Sequence, residues 1–306
     1  VQWQNDSKHI LSASQNGRLL LWNAFTGNKE HLISMKTIGL MTCTLSPNNT
    51  LIGTGGLDNC CTIYKNPMYE TVVNYDNMEE TDKYQAKLYH NAYISNTEFI
   101  DEKHIYTTCG DSNIYLWDIN TQQKLQTFSD HTADVACLEI LDKNLGGNVF
   151  VTGGIDRNIK LWDRRISTKT ALVTLPGHRG YISCISSMGT DKHGGRHIFA
   201  SGSTTGSIRL WDIRALKQLN YYNPSKNNID NNNFVTDSIN SISFSLSGRL
   251  MFAATASTKV NVWDTLHAEI VEVLDFHTED VRDVKVSFDG KVVATAGWDG
   301  KIMLWA

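Results

Sequence analysis

No Gly-x-Gly-x-x-Gly stands anywhere in these 306 residues, and no Walker lysine, so phosphates of a nucleotide find no ready cradle. The nearest stretch, Gly202-Ser203-Thr204-Thr205-Gly206-Ser207, lacks the Lys that would reach them. Gly-x-Ser-x-Gly and His-Glu-x-x-His are also missing, which removes two common hydrolase signatures. Six cysteines (Cys43, Cys60, Cys61, Cys109, Cys137 and Cys184) never form a Cys-x-x-Cys pair. They sit in apolar, strand-like contexts, as small core residues do, and point to a reducing compartment. No apolar run approaches the length of a membrane span. There is no basic excess either: the net charge is -4 and the pI about 6.2, which argues against a nucleic-acid or anionic-membrane footprint. His193 and His197 are four apart in the turn-like stretch 191–197 but have no helix or further ligands around them, so no metal site is expected. No cofactor is expected.

What the chain has is a repeat. Gly153-Gly-Ile-Asp-Arg-Asn-Ile-Lys-Leu-Trp-Asp163 combines a tight turn with an alternating, half-buried strand closed by Trp162-Asp163. The closing aromatic returns as Trp22, Tyr64, Trp117, Trp162, Trp211, Trp263 and Trp305, at intervals of 42, 53, 45, 49, 52 and 42 residues. Periods of that size with a Trp-Asp signature predict an all-β propeller, one four-stranded blade per repeat, hence seven blades. Six residues before each aromatic stand Asn16, Asp58, Asp111, Asp156, Thr205, Ser257 and Asp299, all able to cap a turn. His90, His131, His178 and His277 lie upstream, each followed three residues later by Tyr93, Asp134, Tyr181 or Asp280.

This is the WD40 pattern. In such blades a turn Asp, a His, a strand Ser or Thr (here Thr107, Thr152, Thr295) and the Trp resemble a buried hydrogen-bonded tetrad. A buried carboxylate and imidazole are tolerable only when paired, so these residues read as structural rather than catalytic. Blades one, five and six lack parts of the tetrad and are expected to be locally softer. One domain is expected over 1–306, with repeats at about 1–23, 24–64, 88–118, 119–163, 164–212, 234–264 and 265–306. Polar insertions interrupt them at 74–87 and 223–233; the acid cluster Glu79, Glu80 and Asp82 reads as a solvated loop, and the Asn-rich 223–233 as exposed and disordered. The seventh blade has residues for three strands and is expected to lack its outer one, which residues before Val1 would have to supply. A region preceding Val1 is expected.

Several stretches resemble one WD40 family, the β subunit of heterotrimeric G proteins. They are Ser12-Ala13-Ser14-Gln15-Asn16-Gly17, Met41-Thr42-Cys43, Gly55-Gly56-Leu57-Asp58-Asn59 with Ile63-Tyr64, Phe244-Ser245 with Ser247-Gly248-Arg249-Leu250, and Gly297-Trp298-Asp299. The Ile-Tyr closing of the second repeat is more specific than any Trp-Asp pair. The Asn-rich insertion and Ala268-Glu269-Ile270-Val271 resemble the fungal pheromone-response branch. The resemblance implies a non-enzymatic transducer that pairs with a γ subunit, binds the GDP-bound α subunit and, once released, engages effector or scaffold proteins on the same face. It implies a cytoplasmic protein at the inner face of the plasma membrane, held there by lipidated partners and not itself inserted. In the family an N-terminal helix pairs with γ; this sequence does not contain it. Matching the α-contacting positions are Lys29, Met41, Leu57, Asn59, Tyr93, Asp134 and Trp298. Gly39, Tyr181 and Thr204 depart, standing where the family has Trp, Asp and Asp.

Topology gives the resemblance a mechanism. In an antiparallel blade, the turn between strands two and three and the entry from the preceding blade emerge at one end. The turns holding Leu57, Asn59, Thr204 and Trp298 and the entries holding Met41, Tyr93 and Asp134 should therefore share a face, with aromatic and aliphatic anchors suited to a protein partner. The competing reading is a generic WD40 scaffold or substrate-receptor adaptor that takes a peptide on that face. An enzyme built on a propeller has the least support.

Overall fold

The computed structural model describes residues 1–35, 39–69, 84–143, 146–166, 169–189, 197–224 and 237–306. The acid cluster at 79–82, His193 and most of the Asn-rich insertion lie outside them. The described residues form two compact units, 1–138 with 167–170 and 139–166 with 171–306. Apart from one 3-10 turn at Pro67–Tyr69, every regular element among the described residues is a strand.

Three sheets belong to the first unit, each pairing its strands in chain order. The first runs β1 (Gln2–Trp3), β2 (His9–Ser14), β3 (Arg18–Asn23) and β4 (Lys29–Ser34). The second runs β5 (Leu40–Leu45), β6 (Leu51–Gly56), β7 (Cys60–Lys65) and β8 (Ala86–Tyr89), and the third β9 (Ile94–Phe99), β10 (His104–Cys109), β11 (Ile114–Asp118) and β12 (Gln123–Phe128). The division between the units falls within β13 (Val135–Ile140), which opens a fourth sheet continued by β14 (Val149–Gly154), β15 (Ile159–Asp163) and β16 (Val173–Leu175). The second unit adds a fifth sheet of β17 (Ile182–Ser187), β18 (Ile198–Ser203), β19 (Ile208–Asp212) and β20 (Lys217–Tyr222). A sixth follows with β21 (Ile239–Phe244), β22 (Leu250–Thr255), β23 (Lys259–Asp264) and β24 (Glu269–Asp275), and a seventh with β25 (Val281–Val286), β26 (Val293–Gly297) and β27 (Ile302–Trp305). The fold is an all-β, seven-bladed propeller whose seventh blade has three strands. Sheets and repeats are offset by one strand: β4 opens the repeat at 24–64 yet hydrogen-bonds to β3 of the sheet before it.

The repeated turn has a simple cause. In the second, third, fourth and seventh sheets the turn aspartate accepts the backbone N–H two residues on, from Cys60, Asn113, Asn158 and Lys301, at 3.1–3.2 Å. The residue between them takes a left-handed conformation, with φ of 60° at Asn59, 69° at Ser112, 65° at Arg157 and 71° at Gly300. A short side-chain acceptor holds the backbone in a shape that most residues avoid. Around these turns each unit packs its own apolar clusters: Ile63, Leu88, Phe99, Ile105 and Trp117 meet in the first, and Ile208, Ile242, Met251 and Trp263 in the second.

The closing tryptophans are fixed by a hydroxyl ten residues upstream. Trp22, Trp117, Trp162, Trp211 and Trp305 donate Nε1–H to Ser12, Thr107, Thr152, Ser201 and Thr295 at 2.8–3.1 Å. The sixth sheet breaks the rule. Ala253 stands ten before Trp263, and the buried Trp263 Nε1 has no hydrogen-bond partner. An unmade buried hydrogen bond costs about 1–3 kcal/mol. Ala253→Ser, the residue that Ser12 and Ser201 are in their own sheets, is therefore expected to raise stability by about 1 kcal/mol. A urea midpoint unchanged or lowered in Ala253→Ser would mean the site has no room for the hydroxyl.

Candidate protein-interaction site

All four members of the expected tetrad come together in the seventh sheet. His277 Nδ1 lies 3.0 Å from Asp299 Oδ2 and its Nε2 lies 2.8 Å from Thr295 Oγ1, which also accepts from Trp305. Burial alone would push the Asp299 carboxyl up. The amides of Lys301 and Thr278 and the His277 ring outweigh it and hold the carboxyl below the usual carboxylate range. The third sheet differs. His90 Nε2 meets Thr107 at 2.8 Å, but its Nδ1 faces the Leu88 carbonyl at 3.1 Å, while Asp111 accepts from the Tyr115 hydroxyl instead. A tyrosine four residues on competes for the carboxylate, which the Asp and His spacing alone did not reveal. In the fifth sheet His178 Nε2 bonds Ser201 at 2.6 Å; in the fourth, Trp162 bonds Thr152, with His131 buried nearby in sequence order before β13. Asp58 caps its turn in a sheet that has no tetrad histidine. In these roles His90, His178, His277, Asp58, Asp111 and Asp299 each hold part of the fold together.

Met41, Leu57, Asn59, Tyr93, Asp134 and Trp298 lie at sheet ends where a turn meets a strand entry. A second backbone bond, again repeated, joins the turn to the strand entry. Leu57 N–H donates to Gly39 O at 3.1 Å, Gly110 N–H to Tyr93 O at 2.9 Å, Thr204 N–H to Tyr181 O at 3.0 Å and Trp298 N–H to Asp280 O at 2.9 Å. This bond brings a turn residue and an entry residue side by side in these four sheets.

In the first unit, Met41, Leu57 and Asn59 lie at one end of the second sheet. Leu57 is 62% exposed, yet its side chain is braced on Gly39, where a Cβ would stand 2.8 Å from Leu57 Cδ1. Gly39 also has a φ of 91°, so backbone and space both require glycine there. Tyr93 packs its ring over Gly110 and donates its hydroxyl to Asp134 at 2.7 Å. Burial and the Asp134 carboxylate push the Tyr93 phenol up to about 12, so it remains a donor at neutral pH. Lys29 is not gathered with these residues. It opens β4, opposite Trp22, whereas the β2–β3 turn lies at the Arg18 end of β3.

In the second unit, Trp298 projects from the β26–β27 turn, 46% exposed, with the Arg282 guanidinium 5.6 Å from its ring centre. Tyr181 and Thr204, the two departures there, are both exposed. Arg282 was not anticipated. It and Met41 hold equivalent places, the second residue of the first strand, where the register slips and one residue is left out of the ladder. Such a bulge re-aims a side chain, and an alternating sequence pattern gives no sign of it.

All six cysteines are free, and burial pushes the Cys184 thiol up to about 12 and the Cys109 thiol up to about 11. Both are inert thiols at neutral pH. Among the described residues no group of acidic, His and Cys side chains could hold a metal ion, and no helix is long and apolar enough to cross a membrane.

Comparison with known proteins agrees with this geometry. The family model for the G protein beta WD-40 repeat protein matches residues 1–306. A guanine nucleotide-binding protein subunit beta from Arabidopsis thaliana is 35% identical over 318 residues, covering 100% of this chain and 79% of the relative. Those of Oryza sativa subsp. japonica and Solanum tuberosum are 33% and 32% identical over 317 residues, with the same coverage. The chain belongs to the G protein β WD40-repeat family.

Proposed function

We propose that this chain is a G protein β subunit that, together with a γ subunit, binds a GDP-bound α subunit and engages effectors on the same face after release. The family's proteins are non-enzymatic scaffolds, and the names of the relatives support the β-subunit reading. The observation that carries the α-binding face is Leu57: an apolar side chain left largely in water but braced against Gly39. A side chain already fixed in place loses little freedom when a partner covers it. Met41 supplies further exposed apolar surface in the same unit, and Asn59, Tyr93 and Asp134 supply polar groups for a rim; Trp298 is an exposed aromatic of the second unit. Lys29, at the opposite end of its sheet, would serve a separate contact. Attachment to the inner face of the plasma membrane would come from lipidated partners. A place in a pheromone-response pathway rests on the Asn-rich insertion and residues 268–271 alone, the relatives named above being from plants.

The test is affinity for an α subunit loaded with GDP against the same subunit loaded with a GTP analogue, on the β chain co-expressed with γ. Trp298→Ala is expected to weaken GDP-state binding by about thirtyfold, the loss of a typical aromatic anchor, with its melting temperature nearly unchanged. Equal affinity of the folded variant and parent would move the partner surface elsewhere. It would then favour the second reading, a peptide-binding WD40 adaptor, for which Gly39, Tyr181 and Thr204 are the supporting departures.

A further inference from the structure

The turn position that carries Asp111, Asp156 and Asp299 in the third, fourth and seventh sheets carries Thr205 in the fifth. The groups that would use a carboxylate there are still in place. His178 is 7% exposed, and its Nε2 meets Ser201 Oγ at 2.6 Å. That hydroxyl oxygen also accepts from Trp211 Nε1 at 2.9 Å; the arrangement that gives its own hydrogen an acceptor has Ser201 donate to Nε2, which puts the imidazole proton on Nδ1. The Nδ1 atom is buried and has no hydrogen-bond partner within the chain. In the seventh sheet the corresponding atom of His277 is satisfied by Asp299. Arg209 holds the register of Tyr115, the residue that donates to Asp111 in the third sheet. Its Nη1 donates to Gln218 and its guanidinium lies over the Tyr221 ring at 5.2 Å, but its Nε is buried and likewise without a partner. Arg209 and His178 are neighbours: Arg209 Nη1 would lie 2.9 Å from a Cβ at Gly177, and its charge, after burial, is the second cause that lowers the His178 pKa. Thr205 cannot answer either donor, because its hydroxyl is engaged with those of Ser203 and Ser207, each at 3.2 Å.

We infer that the fifth sheet binds a small inorganic monoanion, of chloride size, between His178 and Arg209, in the role that an aspartate fills in its sister sheets. Two buried N–H donors, one of them permanently cationic, require an acceptor that the chain does not provide. The turn beside them is closely packed, a Cβ at Gly180 standing 2.6 Å from Thr205 Cγ2, which favours the smallest anion.

The experiment is thermal unfolding of the protein at pH 7.5 in sodium chloride against sodium gluconate, at fixed ionic strength. Chloride is expected to raise the parent's melting temperature saturably, by about 2–4 °C. Thr205→Asp supplies the carboxylate internally and should melt higher than the parent in gluconate and be indifferent to chloride. Arg209→Gln removes one donor and the charge, and should lose the chloride response whether or not Thr205→Asp folds. A parent indifferent to chloride overturns the inference, as does an equal chloride response in the parent and in the folded variants, which would reflect general salt action.

Discussion

Asp299→Ala should destabilise the protein by about 3 kcal/mol, read as a lowered urea midpoint with an unchanged slope. The carboxylate and the His277 ring are almost wholly buried, their side chains 3% and 1% exposed. The alanine variant strands the buried His277 Nδ1 and removes the acceptor of the Thr278 and Lys301 amides, which lie at exposed residues. The control is Asp58→Ala, in a sheet without a tetrad histidine, where the carboxylate's bond to the Cys60 amide is that of a turn cap. A cap costs about 1 kcal/mol, so the two variants should differ by about 2 kcal/mol. Equal losses would mean that the His277 pairing adds nothing beyond the turn.

The second large effect is on acid stability. Burial pushes the His90 imidazole down to about 4, with the Leu88 carbonyl opposing and Lys124 adding to the fall; burial and then Arg209 push His178 down to about 4 as well. Both folded-state values lie below the 6.5 of a free imidazole, so the unfolded chain binds more protons in the interval. The stability these rings contribute is complete above pH 6.5 and is lost as pH falls towards 4. At pH 4.5 each is expected to cost about 2–3 kcal/mol relative to pH 7. The Asp299 carboxyl, held below its ordinary value, titrates below this window and leaves it clear. Denaturant unfolding at pH 7, 5.5 and 4.5 should show the decline, and His90→Gln should flatten part of it. Stability unchanged between pH 7 and 4.5 would contradict the buried neutral state of both rings.

The spacing of closing aromatics was enough to read seven β units, because in five of them the Trp is placed by one hydroxyl at a constant distance along the chain. The turn aspartates were equally legible, since an acceptor immediately before a left-handed residue is a local requirement. Local sequence failed where two side chains compete for one group. Asp111 goes to Tyr115 rather than His90, and only the packed structure decides between them. Nor does local sequence tell at which end of a sheet a residue falls: Lys29, matched through the family resemblance, stands opposite Trp22, away from the β2–β3 turn. The offset between repeats and sheets has the same origin, because pairing joins β4 to the strand before it and the Trp-Asp punctuation marks only the third strand.

The bulge at the second residue of the first strand, present in five sheets, has a different meaning in different ones. Ser95 hydrogen-bonds the Val135 carbonyl and Ser183 the Ile239 carbonyl, while Asn240 reaches the Val281 carbonyl at 2.7 Å. In each case a short polar side chain stitches the strand to the first strand of the following sheet. Met41 and Arg282 hold the same place and point into solvent instead. One backbone irregularity thus serves as a seam in three sheets and as a socket in two. A new side chain in a socket alters what the surface offers and leaves the architecture alone, whereas the same change at a seam loosens the joint between neighbours. The exposed surface can therefore drift at Met41 and Arg282 while Ser95, Ser183 and Asn240 stay tied to the scaffold.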